Sequence, residues 1–214
     1  MGTTAVHALR GLTLQVNKGE FLAVQGPSGS GKSTCMNIVG CLDLPTKGKV
    51  LLDGKDIAHL KESDLAQIRG RMIGFVFQKF HLIPTLTAVE NVMLPLTFQG
   101  VPENKRLDRA EYLLQLVGLR DRMHHKPNEL SGGQQQRVAI ARALAVDPPV
   151  ILADEPTGNL DSATGVTVMK LLQELHIQQH KTLVLVTHDN HLASHADRVA
   201  YLSDGKIVKQ VQHE

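Results

Sequence analysis

The spacing of hydrophobic and polar positions changes several times along the 214 residues of the chain. Leu12-Thr13-Leu14-Gln15-Val16 alternates and predicts a strand, closed by the turn Asn17-Lys18-Gly19. Phe21-Leu22-Ala23-Val24 is a short apolar run and predicts a buried strand. Lys49 to Gly54 predicts a strand ending in an Asp-Gly turn, and Ile73 to Gln78 a further strand; together they suggest a small β-rich layer. From about residue 85 to 145 the period turns helical. Leu107, Ala110, Leu114 and Val117 share one face, with Gly118 as a stop. A second helix is expected from Gln134 to Leu144, ended by Asp147-Pro148-Pro149. Val150 to Asp154 and Thr182 to Thr187 read as buried strands, with a helix between them marked by Val166, Met169, Leu172 (or Leu171) and Leu175. Val199 to Leu202 and Lys206 to Val208 flank Ser203-Asp204-Gly205, a hairpin signature. Strands alternating with helices predict an α/β fold with a mostly parallel sheet. No repeat, low-complexity segment or flexible linker interrupts it, so one domain over residues 1–214 is expected.

Composition narrows the function classes. A net charge of +2, with both signs scattered, gives no reason to expect nucleic acid as a partner. Cys35 and Cys41 are too few for a disulfide framework and read as small buried hydrophobes in a reducing compartment. No N-terminal stretch has the pattern of a cleaved leader, and no apolar run approaches 18 residues. A membrane role is therefore expected to come through a partner protein.

The sharpest chemical signal is Gly26-Pro27-Ser28-Gly29-Ser30-Gly31-Lys32-Ser33, between a predicted strand and a helix starting at Thr34. Glycines let backbone N–H groups curl around phosphate oxygens. A lysine at position 32 suits the β- and γ-phosphates, a serine hydroxyl at 33 suits Mg²⁺, and the helix start favours an anion. Asp154 and Glu155 end an apolar strand, where ligands of open α/β sheets sit. Asp154 suits Mg²⁺, directly or through water, opposite Ser33. Glu155 has no cation partner evident in the sequence and suits orienting an attacking water. His188 ends the next strand and suits a γ-phosphate and that water. Gln78 ends a strand too; its amide suits Mg²⁺ or the water. Leu130-Ser131-Gly132-Gly133-Gln134 carries a second anion site, with Ser131 capping the next helix and the glycines baring N–H groups. His191, His195, His124 and His125 read as surface histidines, and Lys105, Arg106, Asp108, Arg109 and Glu111 as a solvated helix face.

In this order the motifs resemble the nucleotide-binding domain of ATP-binding-cassette (ABC) transporters. They are a Walker A loop at Gly26 to Ser33, a Q-loop at Gln78, the signature at Leu130 to Gln134, a Walker B strand ending at Asp154-Glu155, a D-loop at Asn159-Leu160-Asp161 and a switch histidine at His188. Gly40 to Thr46, Ile73 to Gln78, Leu86 to Val92 and Ala153 to Asp161 resemble the subgroup of MacB-type exporters and lipoprotein-releasing LolD proteins. The resemblance implies a P-loop NTPase fold: a RecA-like core, a small antiparallel β layer, and a helical subdomain inserted at about residues 79–145. It implies ATP and Mg²⁺ as ligands. Glu155, His188, Gln78 and Lys32 would be catalytic; residues Gly26 to Thr34, Gln78, Ser131 to Gln134, Asp161 and His188 would bind nucleotide; Ser33, Gln78 and Asp154 would hold the metal.

It further implies a head-to-tail dimer, each ATP lying between one copy's Gly26–Ser33 loop and the other's Ser131–Gln134. A transmembrane permease at the cytoplasmic face of the inner or plasma membrane is the implied partner, docking near Gln78 to Pro95, where Phe80, Leu82, Ile83 and Leu86 either dock or pack the helices. One feature departs from the family: Met1 to Arg10 offers no aromatic residue for adenine, the nearest candidate being His7. Two other functions fit the motifs. One is an ATPase that regulates a membrane complex without moving a solute, as FtsE does; the other is a soluble ABC ATPase outside transport.

Overall fold

The computed structural model describes residues 7–213. A six-stranded sheet forms the centre, built from β1 (Phe21–Gln25), β4 (Ile73–Phe77), β5 (Val150–Asp154), β6 (Thr182–Thr187), β7 (Arg198–Ser203) and β8 (Lys206–Gln212). Its order is β4-β5-β6-β1-β7-β8; the first five strands are parallel and β8 returns antiparallel to β7. β1 and β6 are buried along their whole length, which explains why they read as unbroken apolar runs rather than alternating ones.

Alternate residues of β1 enter different cores. Phe21 and Ala23 join a cluster with Leu114, Val138, Met169 and Leu172, while Leu22 and Val24 join Met36, Ile57 and Leu65. The first cluster is covered by α3 (Ala88–Phe98), α4 (Glu103–Leu116), α5 (Gly132–Ala143) and α6 (Ser162–Gln179). The second is covered by α1 (Lys32–Val39) and α2 (Glu62–Met72). Cys35 and Cys41 are free thiols in this second cluster, and burial pushes Cys35 up to about 11. A short helix, α7 (Asn190–Ala193), links β6 to β7.

Local chemistry sets the element ends. Thr87 caps α3 in a reciprocal box with Glu90, and Asp161 caps α6 by accepting from the Thr164 amide at 3.0 Å. Asp53 and Gly54 both have positive φ in the two-residue turn joining β2 (Leu51–Leu52) to β3 (Lys55–Asp56), as do Asp204 and Gly205 between β7 and β8.

Several expectations are corrected. Leu12 to Val16 forms no ladder, although Leu12, Leu14 and Val16 pack on the second cluster. The Arg198 guanidinium donates to the Gln15 carbonyl at 2.5 Å, so a side chain and not a strand meets this backbone. Ile73 to Phe77 leaves the small β layer and forms an edge of the main sheet; among the described residues, β2 and β3 alone form a separate antiparallel pair. The expected inward face of α4 is buried at Ala110, Leu114 and Val117 but not at Leu107. Leu107 is exposed, while Arg109 reaches inward and donates to the carbonyls of Leu144 and Ala145. Arginine can satisfy carbonyls left over at the end of α5, which a leucine cannot. Val166 is likewise exposed on α6, whose buried stripe is Val168, Met169, Leu172 and Leu175. α5 begins at Gly132, so both signature glycines lie inside its first turn.

Candidate functional site

Parallel strands deliver their C-terminal ends to one edge of the sheet. Phe77, Asp154 and Val186 stand in one row of the ladder, and Gln25 pairs with Thr187. The next residues along these strands are Gln78, Glu155, His188 and Gly26. Residues far apart in sequence therefore meet because of register.

The loop after β1 forms one group. Gly31 has φ 101°, a conformation that penalises any Cβ, and an added Cβ would also lie 2.6 Å from the Ala8 carbonyl oxygen. Gly31 precedes α1 with no side-chain cap, which leaves the helix amides to a ligand. Lys32 Nζ donates to the carbonyls of Gly26 and Pro27 at 2.7 and 2.8 Å, folding the ammonium over the loop. An open cleft of ≈ 600 Å³ is lined by Ser28, Gly29, Gly31, Lys32, Ser33 and Thr34, together with His7, Ala8, Arg10 and Asp204. That volume suits a nucleotide-sized ligand. Ser30, within the same loop, is buried. Of the segment without an aromatic, His7 thus faces this cleft, and Met1 to Val6 lie outside the described residues.

The acidic pair forms a second group. Glu155 is not the partnerless carboxylate that the sequence suggests. Its Oε1 accepts from the His188 amide at 2.9 Å and lies 2.7 Å from His188 Nδ1; its Oε2 accepts from Thr187 Oγ1 at 3.3 Å. These contacts aim one carboxylate and couple it to the imidazole. Glu155 itself has φ 46°, an uncommon backbone state for a residue with a Cβ. Burial and the neighbouring Glu155 charge raise the Asp154 carboxyl above its ordinary value, against the opposing pull of Lys32.

The third group gathers at the edge strand β4. Gln78 lies beside Asn159: the Asn159 amide donates to the Gln78 carbonyl at 2.9 Å. Ser131 caps α5, accepting from the Gln134 amide at 3.3 Å while its own amide donates to Gln134 Oε1 at 2.9 Å. Gly133 meets α6 closely, since a Cβ there would lie 2.1 Å from Thr164 Cγ2. Thr164 in turn donates its hydroxyl to Asp161 at 2.6 Å, and these bonds hold the Asp161 carboxyl below its ordinary value.

The Lys32 charge pulls on the Asp154 carboxyl and couples the phosphate loop to the acidic pair, although Asp154, Glu155 and His188 do not themselves line the cleft. The Ser131–Gln134 turn and Gln78 line no part of the cleft. Of the four apolar residues after Gln78, Leu82 packs on the core and Ile83 is exposed. Phe98, which the pattern analysis passed over, is 82 % exposed.

Sequence reasoning also missed three polar side chains. Gln136 is fully buried on α5, with its amide nitrogen 3.3 Å from the Phe77 carbonyl and 2.5 Å from that of Pro156. Arg142 donates to the carbonyls of Phe80 and His81. Asn91, also fully buried, donates to the carbonyls of Ile83, Leu86 and Thr87 and accepts from the Ile83 amide. Buried amides inside an apolar helical pattern are the only sequence signal for two of them.

A phosphate loop between a central parallel strand and a helix, with an acidic pair ending another strand of the sheet, defines a P-loop nucleotide hydrolase. Residues 9–158 match the ABC transporter family. The chain belongs to that family and is one of its ATP-binding, ATP-hydrolysing domains. It is 55 % identical over 207 residues to an uncharacterised ABC transporter ATP-binding protein of Thermotoga maritima, covering 97 % of this chain and 88 % of that protein. It is 54 % identical over 207 residues to the macrolide export ATP-binding/permease protein MacB of Wolinella succinogenes, covering 97 % of this chain but 32 % of MacB. The chain thus spans about a third of the MacB proteins it matches. A solved dimeric structure of the ATP-binding cassette MJ0796, in a post-hydrolysis state bound to ADP and Pi, superposes with a TM-score of 0.91 at 50 % identity, over 99 % of this chain and 93 % of that one. MJ0796 comes from Methanocaldococcus jannaschii. Among the described residues, no helix is long and apolar enough to cross a membrane.

Proposed function

We propose that two copies of this chain pair head to tail, hydrolyse ATP between them, and so drive a MacB- or LolD-like permease in efflux or lipoprotein release. The observation that carries this reading is the separation of the two anion sites. The cleft lies beside β1 and the β7–β8 turn, whereas the Ser131 turn packs by Phe80 and Leu160 near edge strand β4. Three strand spacings intervene, about 14 Å. On this reading the Ser131 turn that covers the loop comes from a second copy, whereas Gln78, at the end of β4, reaches toward the metal from the same chain. The solved MJ0796 cassette is dimeric, which supports the pairing.

In this reading the loop amides and Lys32 hold the phosphates, and Glu155, aimed by Thr187 and His188, orients and polarises the attacking water. His188 donates to the terminal phosphate as charge develops. Ser33, Gln78 and Asp154 offer oxygen donors of the kind that Mg²⁺ takes, and a buried Asp154 beside a second carboxylate fits an arriving cation. Mg²⁺ bound there would neutralise charge on the phosphates. Residues 79–145 act as a helical subdomain that carries the signature. The permease docks on the exposed apolar side chains at Ile83 and Phe98 and holds the chain at the cytoplasmic face of the membrane. The relatives are transporter ATP-binding proteins, which favours transport over a purely regulatory, FtsE-like role.

Complementation tests the pairing. A Lys32→Ala chain and a Ser131→Arg chain should each be inactive alone. Mixed, they form one intact composite site, so ATPase activity should return. No recovery on mixing, with both chains folded and self-associating, would rule out a site shared between copies.

A further inference from the structure

The segment from Phe77 to His81 is held by side chains more than by backbone pairing. Gln136 of α5 takes the Phe77 carbonyl, and Arg142 of the same helix takes those of Phe80 and His81. Between them, the Gln78 carbonyl is taken by Asn159, which follows the acidic pair by four residues in the loop leaving β5. The contact is reciprocal: the Gln78 side-chain nitrogen lies 3.5 Å from Asn159 Oδ1. Gly158 completes the seat, since a Cβ there would lie 2.6 Å from Gln78 Nε2 and 3.2 Å from its Cδ.

We propose that Asn159 is a positioning residue for Gln78. One carboxamide fixes both the backbone and the head of the other. With its nitrogen turned to Asn159, the Gln78 amide has its oxygen left to meet a cation, which is the end that a hard divalent ion requires. The residue also links the loop bearing Glu155 to the start of the helical segment, so the two loops move together. Neither Asn159 nor Gly158 touches the phosphates in this proposal; both act through the placement of Gln78. The inference rests on the assignment of Gln78 as a metal ligand made above.

Mn²⁺ binding to the ATP-loaded Glu155→Gln chain, read by electron paramagnetic resonance, tests it without turnover. Asn159 is exposed, so Asn159→Ala and the apolar isostere Asn159→Leu should fold. Both should weaken Mn²⁺ about tenfold, the usual loss when an outer partner of a metal ligand is removed, with metal-free ATP affinity unchanged. Gly158→Ala should do the same by pushing the Gln78 head aside. In a Gln78→Ala background, Asn159→Ala should add nothing. Unchanged Mn²⁺ affinity in the Asn159 variants, or an equal loss with Gln78 already removed, overturns the proposal. If Gln78→Ala alone leaves Mn²⁺ affinity unaltered, the metal-ligand assignment fails and this inference fails with it, while the complementation test still decides the pairing.

Discussion

Asp154, the proposed metal ligand, is strained by its surroundings. Its carboxyl is raised by burial and by Glu155, so the ionised form costs the folded chain free energy. A folded value above the unfolded one means that the native state binds more protons between the two. Stability therefore falls as pH rises through that window, and the whole cost is present above the folded value. Asp154→Asn removes the charge. Nucleotide-free, it should melt above the parent chain at pH 7, by about 2–4 °C for each 1 kcal/mol relieved in a chain of this size, and the difference should shrink on acidification. Its Mg²⁺-dependent ATPase should be lost. A melting temperature equal to the parent's at every pH would remove burial strain from the description of this carboxylate. Glu155 carries the complementary test. Glu155→Gln keeps the shape but loses the base, so hydrolysis should slow by about 10²-fold or more while ATP still binds.

At the scale of elements, the contact between α5 and α6 ties the signature turn to the loop after β5. Gly133 is a site of close approach here whatever it does for phosphate, because Thr164 Cγ2 occupies the place of its Cβ. Gly133→Ala should overpack this contact and cost about 1–3 kcal/mol in the nucleotide-free protein. Thr164→Ser removes the offending methyl yet keeps a hydroxyl for Asp161, so the double variant should recover most of the loss in a thermal melt. No stability change in the single variant would show that the two helices yield without cost. The same scale explains what the pattern missed. A period of 3.6 locates α4, but it cannot say that Arg109 turns inward to the carbonyls of Leu144 and Ala145 while Leu107 turns out. That choice belongs to α5, whose end presents the carbonyls. The alternation of Leu12 to Val16 likewise fixes which side chains face the core, but not whether a strand lies beside them.

At the scale of the whole molecule stands the proposed pairing of two copies. The proposed anion sites lie three strand spacings apart in the sheet, and the proposed pairing closes one copy's site against the other's. Glu155→Gln with ATP and Mg²⁺ should accumulate a dimer that light scattering detects, and ADP should not support it; a monomer at saturating ATP would contradict the pairing. Phe98 and Ile83 are exposed apolar side chains, and the proposed permease contact rests on them.

The chain order alone was enough to place the phosphate loop between a strand and a helix, the acidic pair and His188 at strand ends, and the capped start of the signature helix. Each is written in neighbouring residues, where spacing and local propensity suffice. Only the folded sheet decided that Glu155 pairs with His188, that Asn159 seats Gln78, and that the Ser131 turn stays away from its own chain's cleft. Those facts depend on strand order and register, which are set by burying the apolar faces of distant segments together and leave no mark at any one position.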